Sequence, residues 1–376
     1  MSSTGPVGPP SDPAPAPPNG DLPIPPTGEP TTAPPAGPLG RHPWRLVTAV
    51  VVVLALVVVA AGLLWVHSEA DPSGPPGRQV IVAVRAGTGV DQLAGTLQSK
   101  GVIGSSLAYR VWGLVHSPPP VQAGSYAFRQ NTSFSTVSQI IAGGPNVFPL
   151  SVPPGFTVAE VAERVGQLPG HHASHFAGVA TGGTVRSLWE PAGSTNLEGL
   201  LGTGVYVVVP GETDTQLLTR MVDRFDTLAT TLGLAAGASR LGLTPIQLVT
   251  VASIVEKEGV IAENLGPVAR VILNRLADDM PLQMDSTVLY AEGRDGGTVT
   301  AKDLQLATPY NTYLNKGLTP TPICFPSPSA LQAAIDPPAG SWLYFVVVQS
   351  DGIEAFADTF AQQQANEALA VQRGLP

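Results

Sequence analysis

Cysteine is nearly absent: Cys324 stands alone in a chain of 376 residues. A single thiol cannot build an intrachain disulfide framework or a cysteine zinc site, so the fold must hold itself together by packing. Charge is scarce as well. Asp, Glu, Lys and Arg make up 12% of the chain, about half the usual share in soluble proteins. The 19 Lys and Arg are spread thinly against 28 Asp and Glu. Phosphate contacts need clustered cations, so nucleic acid is excluded as a partner.

Proline and glycine are abundant instead, at 39 and 41 residues, and fourteen of the prolines fall within residues 1–40. That tail holds almost no large apolar side chains, and too little surface can be buried to offset the entropy of ordering it; residues 1–45 read as a disordered cytoplasmic tail. No compact PxxP flanked by Arg marks it as ligand for an aromatic groove.

Next comes LVTAVVVVLALVVVAAGLLWV, residues 46–66, without a charge. At 1.5 Å per residue this run spans a hydrocarbon core of about 30 Å, so it reads as a transmembrane helix. A cleavable leader has a shorter apolar region, so an uncleaved anchor is expected. Arg41, His42 and Arg45 precede the span, Glu69 and Asp71 follow it, and Trp44 and Trp65 stand at its ends. The basic flank stays inside, which puts the N-terminus in the cytoplasm and the large remainder outside.

Past a linker over 67–79, one pattern recurs in VIVAVRAGTGVDQLAGTLQ from Val80, FPLSVPPGFTVAEVAERVG from Phe148 and VYVVVPGETDTQLLTRMVDRF from Val205. Each is a β-branched run, a turn glycine (Gly87, Gly155, Gly211) and an amphipathic helix whose N-cap is Gly89, Thr157 or Thr213. Thr157 with Glu160 and Thr213 with Gln216 have the spacing of capping boxes. Apolar residues at Val158, Val161, Ala162 and Val165 give the second helix one face for a small sheet. The fold class is therefore α+β, with residues 80–147 as a small subdomain and 148–376 as the larger one. The first unit resembles a LysM-like module, a small peptidoglycan-binding fold.

The segment TPIQLVTVASIVEKEG from Thr244 carries the chemistry. Thr244 is an N-cap, Pro245 suits the first turn, Gln247 completes a capping box and Gly259 ends the helix. The helix between is apolar nearly all round, so it is buried, yet it delivers Glu256 on its last turns. Stepping back from Glu256 meets Ser253, Ala252 and Val249, and desolvation and the negative helix end both favour the neutral acid that a general acid requires. Glu258 has equally apolar neighbours in Val255, Ile254 and Val251, and periodicity alone does not choose between the two. Downstream, Gln283, Asp285, Ser286, Thr287 and Tyr290 form a polar stretch, and TPYNTYLNKGLTPTPICFPS supplies Tyr310, Asn311 and Tyr313. Tyrosine faces cover sugar rings and amides bond hydroxyls, so this composition suits a glycan cleft.

ASIVEKEG, VARVILNRLADDMPLQMDSTVLY, TPYNTYLNKGLTPTPI and WLYFV followed by FADTFAQQQAN, in this order and spacing, resemble the endolytic murein transglycosylase or YceG-like family, from about Val80 to the C-terminus. The resemblance implies a single membrane anchor, a LysM-like subdomain and a catalytic domain outside the membrane. It also implies non-hydrolytic cleavage of the bond between N-acetylmuramic acid and N-acetylglucosamine in nascent strands, without a cofactor or metal. The family's catalytic glutamate falls on Glu256, with Gln283, Asp285, Thr287, Tyr290, Tyr310, Asn311 and Tyr313 as expected substrate contacts. The muramic 6-hydroxyl attacks the anomeric carbon in place of water, leaving a 1,6-anhydro end, so one carboxyl group suffices. Expected partners are peptidoglycan glycan strands, the membrane and the peptidoglycan synthases.

Two departures stand out. Leu197, Glu198 and Gly199 are followed by LLGTGVY, without the family's usual Pro and Asp, and Asp336 stands where Asn is usual before Pro337. A zinc peptidase is a weaker reading of His171, His172 and His175, because no Glu adjoins a ligand His as in HExxH. The stronger rival is a non-enzymatic, membrane-anchored peptidoglycan-binding scaffold.

Overall fold

A computed structural model describes residues 43–375. The proline-rich tail, and Arg41 and His42 of the basic flank, lie outside the described residues. Helix α1 (Pro43–Ala70) contains the uncharged run and is long and apolar enough to cross a membrane, the one such single helix among the described residues. It runs four residues past Val66, into the expected linker, because Val66 and Ala70 pack against the apolar core of the segment that follows.

That segment is β1 (Gln79–Val84), α2 (Val90–Ser99), α3 (Ser106–His116), β2 (Gly124–Arg129) and α4 (Phe134–Ala142). Strands β1 and β2 pair antiparallel, Val82 opposite Tyr126. Their inward side chains meet Leu93, Leu97, Tyr109, Phe134 and Val137 in a core of their own. Ser105 and Ser133 cap α3 and α4, each accepting a backbone N–H three residues on.

The second and third repeats become β3 (Phe148–Val152) with α5 (Val158–Val165), then, after α6 (Ala173–Thr181), β4 (Gly204–Val208) with α7 (Asp214–Leu232). Gly155 and Gly211 take φ of 82° and 78°, a left-handed turn that favours glycine. Thr157 and Thr213 form the two expected capping boxes. Strands β3 and β4 pair with one another, whereas the first repeat's strand pairs with β2, so the repeats do not share one sheet.

Helices α8 (Leu234–Arg240), α9 (Pro245–Glu258), α10 (Ala262–Ala277), α11 (Asp285–Ala291) and α12 (Pro328–Ile335) follow, then β5 (Tyr344–Val347), β6 (Glu354–Ala357) and α13 (Phe360–Gln372). Helix α9 is the hub, touching α8, α10, α11 and α12. Every residue from Leu248 to Val255 is buried, and truncating Leu248 or Ile254 to Ala costs roughly 2–5 kcal/mol. The C-terminal hairpin β5–β6 is antiparallel, and Asn274 and Arg275 of α10 donate to the carbonyls of Trp342 and Leu343 at its entrance.

Candidate active site

Helix α9 starts where its capping box and Pro245 require, and its last turn is the first to leave the core: Glu256, Lys257 and Glu258 are each partly exposed. The three side chains part company there. Oε2 of Glu256 accepts from the backbone N–H of Ser327 at 2.8 Å. Ser327 is the N-cap of α12, its Oγ accepting from Ala330 N at 3.0 Å. What Glu256 meets is therefore a backbone donor at a helix N-terminus, not the apolar surface anticipated from Ala252 and Val249. Lys257 pairs with Asp295 at 2.5 Å. Glu258 accepts from both N and Oγ of Ser286, at 3.1 and 2.5 Å. Burial pushes the Glu258 carboxyl up, the Ser286 bonds oppose this, and Asp285 adds to it.

The chain from Thr319 to Ser327 holds Glu256 in position. Ile323 N donates to Ser253 Oγ at 3.0 Å and Cys324 Sγ to Ser253 O at 3.2 Å, which fixes the segment along α9. On its other side Gly155 N donates to Phe325 O and Phe325 N to Phe156 O, at 2.9 and 2.7 Å, joining it to the β3–α5 turn. Four parts of the chain thus converge on the end of α9.

The polar residues expected in a cleft separate into three groups. Tyr290 and Tyr310 lie together, ring centroids 5.1 Å apart, with Tyr310 Oη 2.8 Å from Thr321 Oγ1 at the head of the same segment. Gln283 and Asp285 are exposed, Asp285 close enough to Glu258 to act on its carboxyl, and Tyr313 donates to Asp285 at 2.6 Å. Thr287 and Asn311 are 0% exposed. Thr287 Oγ1 donates to Met284 O and meets Thr312 Oγ1. Asn311 donates to the carbonyls of Leu304 and Leu306 and accepts from Tyr313 N. With these bonds made, neither presents a polar atom to a ligand; Thr287 ties α11 to Thr312, and Asn311 shapes the loop behind the exposed residues.

Glu198, to which the sequence pattern assigns no role, is tied into the same region. It is 6% exposed. It accepts from Val158 N in the first turn of α5, at 3.1 and 3.3 Å, and from Tyr290 Oη at 3.4 Å. Burial pushes its carboxyl up to about 7, against the downward pull of those bonds. The signal was the glycine after it. Gly199 has φ of 79°, and a Cβ there would lie 2.2 Å from Pro322 Cβ, so only glycine lets this loop close on the 319–327 segment. The departure that follows is accommodated in the core: Leu200 and Leu201 are both buried. The histidines have a structural place as well, with Nδ1 of His171 and of His175 turned to the Asp214 carboxylate, tying α6 to α7.

The model of the YceG-like family matches residues 82–368. Proteins named endolytic murein transglycosylase are similar. That of Streptococcus pneumoniae R6 is 27% identical over 323 residues, covering 77% of this chain and 58% of the relative. That of Bacillus subtilis 168 is 27% identical over 323 residues, covering 81% and 89%. The matched region thus spans well under two thirds of the pneumococcal relative's length. A 2.6 Å crystal structure of a yceG-like protein from Listeria monocytogenes superposes with a TM-score of 0.52 at 25% identity, covering 76% of this chain and 98% of that one. With a family match that takes in most of the chain outside α1 and the tail, the chain belongs to the YceG-like family.

Proposed function

We propose that this chain is a membrane-anchored endolytic murein transglycosylase, a lyase that cuts nascent glycan strands between N-acetylmuramic acid and N-acetylglucosamine. The observation that carries the proposal is Glu256 at the end of a buried helix, partly exposed and held by the Ser327 amide. In this reading Glu256 protonates the glycosidic oxygen as the bond breaks. It then takes the proton of the muramic 6-hydroxyl as that oxygen closes on the anomeric carbon, so the acid is regenerated and no water is consumed. Gln283, Asp285, Tyr290, Tyr310 and Tyr313 are the proposed sugar contacts, with Thr287 and Asn311 behind them.

Helix α1 is the proposed anchor, with the N-terminus inside and the domain of residues 148–376 outside. The strand, glycine turn and helix of residues 80–147, closed by an antiparallel β2, support a LysM-like module that holds the strand being cut. Acting on nascent strands sets the protein beside the peptidoglycan synthases.

The test is mass spectrometry of products from peptidoglycan incubated with the full chain. Wild type yields 1,6-anhydro ends. Glu256→Gln keeps size and fold but cannot cycle a proton, and its turnover falls by about 10²-fold or more. Glu258→Gln retains an acceptor for Ser286 and stays within a few-fold of wild type. Strand binding without anhydro ends from the wild type would make the protein a scaffold.

A further inference from the structure

Helix α3 is apolar on two sides. Ala108 and Tyr109 face the core of its own segment, with Trp112 packed alongside. Leu107, Val111, Leu114 and Val115 are 54%, 38%, 84% and 81% exposed among the described residues. At 100° per residue these four fall within about 100° of arc, with exposed Arg110 at its edge. A stripe this wide on an 11-residue helix is more than the scattered exposed side chains of an ordinary surface.

Two further observations indicate what covers it. The apolar run of α1 ends at Val66, and Val66 and Ala70 pack into the core that α3 shares, so no slack separates α3 from the end of the span. Gly104, two residues before α3, lies against Glu69, where a Cβ would meet the carboxylate at 2.2 Å. Charge agrees. Between Arg78 and Val147 there are five cations, Arg78, Arg85, Lys100, Arg110 and Arg129, all exposed, against the single acid Asp91, in a chain of net charge −9. An exposed apolar stripe with Arg110 at its edge, paired to Asp91 at 3.7 Å, in a segment with a surplus of exposed cations just past the end of the apolar span, has the composition of a helix that lies in the bilayer interface.

We propose that α3 docks its Leu107–Val111–Leu114–Val115 stripe onto the surface of the bilayer that α1 spans, with anionic phospholipid as the partner. The membrane then orients the segment of residues 80–147 as well as tethering it, since one helix passes through the bilayer and a second rests on it. The docking is independent of the transglycosylase reading and holds for an inactive Glu256→Gln chain too.

Cys324 is fully buried, so single cysteines can be spin-labelled selectively in the full chain. Labels at Leu114→Cys and Val111→Cys are compared in bilayer nanodiscs containing phosphatidylglycerol, with Val53→Cys in the span and Glu163→Cys on α5 as references. The expected result is that labels at 111 and 114 collide with oxygen in preference to a water-soluble nickel chelate, as at Val53, with the ratio reversed at Glu163. Water-like accessibility at 114 equal to that at 163 would overturn the proposal. So would spin–spin broadening at 114 between copies, which would make a second chain the cover, or a water-like Val53, which would remove the bilayer itself.

Discussion

The backbone N–H of Ser327 donates to Oε2 of Glu256 at 2.8 Å, so the N-terminus of α12 closes on the last turn of α9 across 71 positions of chain. This bond separates two functions of one residue. The Ser327 N–H serves Glu256, while Ser327 Oγ serves α12. Ser327→Ala keeps the first and loses the cap, which costs about 1 kcal/mol of stability and little turnover. Ser327 has φ of −65°, the angle proline adopts, so Ser327→Pro suits the backbone, removes the N–H and puts the ring Cδ in its place, which displaces the Glu256 carboxylate. The Ser327 N–H fixes where the Glu256 carboxyl sits, so the proline variant should lose turnover well beyond the alanine one, because a displaced general acid no longer reaches the glycosidic oxygen. Thermal melts beside an anhydro-end assay measure both. Equal turnover in the two variants would mean that the Ser327 amide does not tune Glu256.

Asn311 gives the opposite outcome from the one its composition suggests. Its amide satisfies two carbonyls and one N–H inside the loop that carries Tyr310 and Tyr313. Asn311→Ala leaves those groups unpaired, at about 1–3 kcal/mol for each that finds no water. A substantial drop in melting temperature is expected, with any loss of glycan binding secondary to it. Tyr310→Phe removes only the contact to Thr321, so it should melt near wild type and still change binding if that ring touches sugar. Unchanged stability in Asn311→Ala would contradict the structural role.

The local signals were legible because they are local. Thr244, Pro245 and Gln247 mark the start of α9 within four residues, and Gly155–Thr157 and Gly211–Thr213 mark turn and cap within three. What Glu256 and Glu258 meet was not legible. Both lie on apolar stripes of one helix, and they differ only because Ser327 and Ser286, 71 and 28 positions downstream, arrive on different sides of it. Thr287 and Asn311 illustrate a second limit. Asn311 satisfies the carbonyls of a loop without regular structure and Thr287 the Met284 carbonyl at the start of α11, both with the polar side chains that composition assigns to a ligand.

Glu198 provides a test by pH. Its carboxyl is raised from an ordinary 4.5 to about 7, burial being the main cause. The folded protein therefore keeps a proton that the unfolded chain releases near 4.5. The stability linked to that proton is fully present below 4.5 and is lost as pH rises through about 7. The difference corresponds to at most about 3 kcal/mol. Glu354 is also raised to about 7 by burial, with Glu258 adding to the shift, so wild type alone would report both residues. Glu198→Gln isolates one of them: glutamine keeps an acceptor for Val158 N and cannot ionise. Urea melts at pH 5 and pH 8 should show wild type losing stability relative to Glu198→Gln across that interval. Tyr290→Phe should leave the slope in place, because burial and not the phenol sets its direction. A wild-type-minus-variant difference that stays constant from pH 5 to 8 would show that Glu198 does not carry the proton.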